Sequence, residues 1–165
     1  MIYVVGNVIA FIAALIMVYS GLMKNKKKII YAQSVQLGLI SISDLIMGGI
    51  TGAIVNLVSC VRNILCYKNK LNITAKILIT LITTILSIKF NNLGFIGLLP
   101  LISTIVYIWT MDTKNVIKLK IVIIFTMITW FIYEMTIKLY ISAIIDIANI
   151  IANIITIKKI KSKTE

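Results

Sequence analysis

The sequence predicts an all-α integral membrane protein of seven transmembrane helices. They form two parallel three-helix repeats joined by a linker helix, with the N-terminus outside and the C-terminus in the cytoplasm. Three observations point there. Mean hydropathy is +1.05 and only 13% of the 165 residues are charged, against about 25% in soluble domains, so the long apolar runs belong in hydrocarbon. The chain also lies on itself after a shift of 90 residues: Lys24 and Asn25 fall on Lys114 and Asn115, Lys28 on Lys118, Asp44 on Glu134, Asn56 on Asp146, Asn63 on Asn153 and Lys68 on Lys158. Polar coincidences of this kind are informative because polar groups are scarce here and costly in lipid. Third, the lysines collect on one side.

The first apolar run, 3–22, has no basic residue ahead of it and a lysine-rich stretch, 24–28, behind it. A signal peptide has the reverse order, so this run is a retained helix. The second helix, 29–47, ends at Gly48 and Gly49, which with Gly52 must make a tight turn into the third, 51–67. Lys68 and Lys70 close the third helix. The fourth, 73–89, has no counterpart under the shift and is the linker. Asn91 and Asn92 precede the fifth, 93–110, where Pro100 removes a backbone hydrogen bond and predicts a kink. The polar stretch 112–115 precedes the sixth, 117–136, and Lys138 separates it from the seventh, 140–157. The single membrane domain therefore divides into a first repeat (1–70), a linker (71–90), a second repeat (91–160) and a short cytoplasmic tail (161–165).

Of the 17 Lys and Arg residues, Lys89 and Lys138 fall on one side of this topology and the remaining 15 on the other. The positive-inside rule makes the rich side cytoplasmic. Three helices per copy is an odd number, so the linker lets both copies insert with the same orientation.

The formal charge of +12 then reads as orientation and attraction to anionic lipid. There are no aromatic-interleaved basic stretches, so no nucleic-acid partner is expected. Histidine is absent. Cys60 and Cys66 share one helix on different faces, so they are read as reduced packing residues without a disulfide, zinc site or catalytic pair. With no phosphate-binding glycine loop, nucleophile elbow or acid–base pair, neither an enzyme, a metal nor a cofactor is expected.

The polar residues form stripes. Asn56, Ser59 and Asn63 sit at i, i+3 and i+7 on the third helix, and Asp146, Asn149 and Asn153 repeat that spacing on the seventh. In hydrocarbon these groups require partners, so the ladders should face inward, and towards each other. Amides on facing helices could be packing glue. A mid-membrane carboxylate such as Asp146 is more than glue needs: it could hold a proton or cation, bind a solute hydroxyl, or pair with Arg62. Snorkelling to the surface is the plainer role for Arg62. Asp44 and Glu134, near the outer ends of the second and sixth helices, read as an outer gate or as interfacial carboxylates reaching headgroup water, with Glu134 also four residues from Lys138. Trp130 lies mid-helix, away from the interfacial belt, and could wall a solute or simply pack. Tyr19 and Trp109 are belt anchors.

The whole-chain architecture of three helices, a linker and three helices resembles the SWEET (PQ-loop) superfamily. Within it, Gln33, the stretch Gly49-Ile50-Thr51-Gly52-Ala53-Ile54-Val55-Asn56, Arg62-Asn63 and Tyr67-Lys68 look most like the YgjV family of small bacterial inner-membrane proteins. The resemblance implies a multi-pass protein of the bacterial inner membrane. It also implies a sugar-type site between the third and seventh helices, with Asn56 and Asp146 at the contacting positions and Trp130 as a wall. Here the second contacting amide has become a carboxylate, the repeat partner of Trp130 is Ile40, and Pro100 is the one proline.

The function expected is alternating-access transport of a small polar solute, sugar-like or vitamin- or nucleoside-like, bound by Asn56, Asp146, Ser59, Asn149 and Trp130. Asp44, Glu134, Arg62, Asn63 and Asn153 would gate or support that site. A two-copy chain can close a site alone, so a monomer or a homodimer would serve. The alternative is a non-transporting accessory or structural protein of the inner membrane, its polar ladders acting as glue.

Overall fold

Breaks in the apolar pattern become turns, and the runs between them become helices. In a computed structural model that describes residues 2–22, 26–68, 70–110 and 115–162, the helices are α1 Ile2–Leu22, α2 Lys26–Ile46, α3 Ile50–Tyr67, α4 Ile73–Lys89, α5 Leu99–Thr110, α6 Val116–Thr136 and α7 Tyr140–Lys161. A 3-10 turn, Ile96–Leu98, leads into α5. No strand occurs among the described residues. The breaks expected at 24–25 and 112–114, and the tail past 162, lie outside the described residues.

Asparagine opens two helices. The side-chain oxygen of Asn72 accepts from Ala75 N–H at 2.9 Å and that of Asn115 from Lys118 N–H at 3.0 Å, each satisfying a donor that the first helical turn leaves free. Asparagine also delays α5. Asn91 Oδ1 accepts from Leu93 N–H at 3.1 Å and Asn91 Nδ2 donates to the Gly94 carbonyl at 2.7 Å, an alternative to helical bonding that holds the chain in a turn. The helix expected from residue 93 therefore starts as a 3-10 turn at Ile96. Pro100 falls in the first turn of α5, where a missing N–H costs little, and not at the mid-helix kink expected of it.

The turns after α2 and α6 are made alike. Gly49 N–H donates to the Asp44 carbonyl at 2.7 Å and Leu139 N–H to the Glu134 carbonyl at 2.8 Å. Gly48 (φ 81°) and its shift partner Lys138 (φ 62°) both adopt the left-handed conformation. That conformation, and not space, is why glycine is used at 48, since a Cβ there would meet nothing within 4 Å. Gly38, inside α2, has equal room but a helical backbone. Alanine should therefore act with opposite sign at the two sites: Gly48→Ala should destabilise and Gly38→Ala stabilise, each by about 1 kcal/mol. Thermal midpoints of the two purified variants in one detergent would show it.

Packing joins α1 to α2 and α2 to α3, and likewise α5 to α6 and α6 to α7. Between these sets α1 meets α7 and α3 meets α5, contacts that a 90-residue shift exchanges, while α4 lies against α3 and α5. One end of the bundle carries the two left-handed turns. The other carries Lys68, Lys70, Lys118 and Lys158, and is called here the basic end.

The molecule is polar inside and apolar outside. Among the described residues 18 polar or charged side chains are buried against 14 hydrophobic ones. Meanwhile Ile77, Leu81, Ile85 and Ile88 of α4, with Val4, Val8, Phe11 and Leu15 of α1, are exposed. Water would not tolerate that surface; lipid does. By length and hydropathy α3 is the one helix among the described residues long and apolar enough to cross a membrane, and the apolar stretches Ile2–Met17, Ile96–Thr110 and Tyr140–Ile155 are shorter.

Candidate functional site

A cavity of about 300 Å³ lies between the two sets of helices, at the lower end of the roughly 300–1,000 Å³ typical of ligand pockets. Helix α3 gives it Asn56, Ser59, Arg62 and Asn63, so the stripe read from the spacing does face inward. Trp130 and Glu134 of α6 and Asp146 of α7 complete the wall nearest the turns. Seven of the ten side chains singled out from the sequence thus meet in one space.

Tyr133 packs behind Trp130. It is 0% exposed, its hydroxyl accepts from Gly52 N–H at 2.8 Å, and its ring meets Trp130 edge to face at 5.8 Å and 89°. Around it pack Ala10, Ala13, Ile40, Ile137 and Leu139. This hydrophobic cluster joins α6 and its following turn to α1 and α2, while the Tyr133 hydroxyl ties α6 to α3.

Asp44 is not a gate at the surface. It is 0% exposed and does not line the cavity; its Oδ2 accepts from Asn56 Nδ2 at 2.7 Å, while Oδ1 has no partner. The turn after α2 folds the start of α3 back beside the end of α2, which brings Asp44 alongside Asn56. Glu134 corresponds to Asp44 and Asp146 to Asn56, so the second copy sets a carboxyl where the first has an amide. Glu134 lies within electrostatic reach of both Asp146 and Asp44. Glu134 Oε2 and Asp146 Oδ2 are buried without a hydrogen-bond partner. Neither Asp44 nor Glu134 reaches the surface water expected of it, and the Lys138 ammonium stands over the Tyr3 ring, 5.0 Å from its centroid.

Arg62 neither snorkels nor pairs with Asp146. It is 8% exposed and gives two N–H donors to Asn63 Oδ1, at 3.1 and 3.3 Å. Its guanidinium carbon stands 5.2 Å from the Tyr107 ring centroid. The lower ladder of α7 departs from expectation as well. Asn153 accepts from Lys120 Nζ at 3.2 Å and donates to the Asn149 carbonyl at 2.8 Å, and neither amide lines the cavity. Asn153 thus links α7 to α6 through Lys120.

Several wall residues were not singled out as binding groups: Gln33 and Gln36 of α2, Ser103, Thr104 and Tyr107 of α5, and Thr126 of α6. A signal existed. Gln33, Gln36 and Ile40 are spaced as one helical face, and so are Thr126, Trp130 and Glu134. No three His, Cys, Asp or Glu side chains among the described residues converge as a metal site, and Cys60 and Cys66 are both free thiols.

The family model Imp-YgjV, described as a bacterial inner membrane protein, matches residues 4–164. No curated protein and no solved structure matches the chain.

Proposed function

The chain belongs to the Imp-YgjV family of bacterial inner membrane proteins, and from that premise we propose that it carries a small polar solute across the inner membrane by alternating access. One observation supports this above others: a cavity of about 300 Å³ into which polar and charged side chains converge, between the two helix sets of a protein whose outside is apolar. The two sets, residues 1–70 and 91–160, would be SWEET-like repeats joined by α4, with the basic end in the cytoplasm. Tyr133 and the cluster around it would then be the closed outer gate. Rocking one set against the other would part Tyr133 from Gly52, the contact that ties α6 to α3.

Asp146 and Trp130 would contact the solute, with Ser59 and the free side-chain oxygen of Asn56. A second view is favoured by the bond between Asn56 and Asp44: polar groups serve only as glue, and the protein is a non-transporting accessory. Asp146→Asn separates the two. It would restore in the second copy the amide–carboxyl pair of the first, so stability should stay or rise by about 1 kcal/mol. Solute affinity should fall about tenfold or more, as when a charge-assisted hydrogen bond is lost. The check is a thermal-midpoint screen of the purified protein and the variant against sugars, nucleosides, vitamins and amino acids, because a ligand of the folded state raises the midpoint with occupancy. No shift with any compound, together with a variant that loses stability, would support the glue view.

A further inference from the structure

We propose that the solute is a zwitterion, with its cationic group received by Glu134 and Asp146 and its anionic group by Arg62. This rests on the transport reading above and names its substrate class. At the turn end of the cavity, Glu134 and Asp146 are 5% and 8% exposed, both face the space, and each has a buried oxygen without a partner. An ionised carboxylate only accepts hydrogen bonds, so two side by side need either a proton shared between them or a donor from elsewhere. The first copy solves this internally, since Asn56 Nδ2 gives its proton to Asp44. In the second copy the amide is gone, and a cationic group entering through the cavity would supply the donor.

The other end supplies the opposite charge. Arg62 lines the same cavity and spends two N–H donors on Asn63, leaving the rest of its fork for a ligand. Along α3 it stands six residues from Asn56, or about 9 Å at ~1.5 Å per residue. A compact zwitterion, held by a charge-assisted hydrogen bond at each end, would satisfy both the carboxyls and Arg62. Trp130, on the wall between, would lie along the body. A neutral polar solute could bond to either end, but it would leave buried opposite charges at both without a counter-charge, which is the costly arrangement. The small volume also sets an amino-acid-sized limit on the cargo.

The test uses the unaltered purified protein in detergent with glycine, L-alanine, L-serine, L-leucine and L-phenylalanine, and with glucose and uridine as neutral polar probes. For the amino acid that raises the thermal midpoint most, the matching amine and the matching carboxylic acid are then titrated. At least a tenfold weaker affinity for each half-ligand is expected. Arg62→Gln should weaken the amino acid and the acid but not the amine, and Glu134→Gln the amino acid and the amine but not the acid. If either variant fails to fold, the half-ligand comparison on the unaltered protein still decides. An amine that binds as well as its amino acid would overturn the role of Arg62, and an acid that does so would overturn that of the carboxyls. Glucose or uridine binding without any amino acid would overturn the zwitterion while leaving transport intact. No shift with any probe, in a folded protein, would count against both.

Discussion

Gly52→Ala should cost about 3 kcal/mol, at the upper end of what overpacking a core does. A Cβ at Gly52 would stand 2.6 Å from Tyr133 Cε1 and 2.7 Å from its hydroxyl oxygen. The ring cannot easily move, being fully buried, stacked edge-on against Trp130 and tied to the Gly52 N–H itself. Gly49 is equally close: a Cβ there would lie 2.5 Å from the same hydroxyl. Chemical or thermal unfolding in detergent would measure the loss. The control is Tyr133→Leu, in whose background the added methyl should cost less than about 1 kcal/mol. An undiminished penalty in that background would mean that the Tyr133 contact is not the cause.

Asn56→Leu should be almost as damaging. It removes the Asn56 hydrogen bond to the Asp44 side chain, whose Oδ1 is already without a partner, and strands a fully buried carboxyl. Leaving such a group alone costs about 3 kcal/mol. Asp44→Asn keeps an acceptor for the Asn56 amide and should be far milder. A double-mutant cycle with leucine at both positions should give a coupling of about 2 kcal/mol, because the two side chains are in direct contact; strictly additive effects would rule the pairing out. The same chemistry makes Asp146→Asn harmless to the fold, so equivalent positions in the two copies respond differently to loss of charge and loss of amide.

Much of the architecture was legible because it depends on how each residue meets its solvent. Lysine clusters and pairs of glycine or asparagine break the apolar runs, which placed seven helices within a few residues. The exception was α5, whose start is set by the side chain of Asn91 closing a turn on Gly94, a local bond that hydropathy does not register. On α3 the spacing of Asn56, Ser59 and Asn63 sufficed to find the cavity wall. The same spacing on α7 did not, because Lys120 of α6 captures Asn153. Trp130 was visible as a misplaced tryptophan, but its neighbour Tyr133, which bonds to the Gly52 N–H, looked like one more aromatic in an apolar helix.

The sequence by itself determined the helices, their breaks, the uneven distribution of lysine and the presence of a mid-membrane carboxyl at Asp146, all properties that follow from residue type and position along one chain. Only the tertiary structure decided that Asp44 is bonded to Asn56 while Glu134 and Asp146 keep unpartnered oxygens, and that Arg62 faces them down one cavity. Hydrophobic partition is summed over long segments and tolerates errors of a residue or two. A hydrogen bond such as the 2.7 Å contact between Asn56 and Asp44 is satisfied or lost within a few tenths of an ångström, and that distance is set by how whole helices pack.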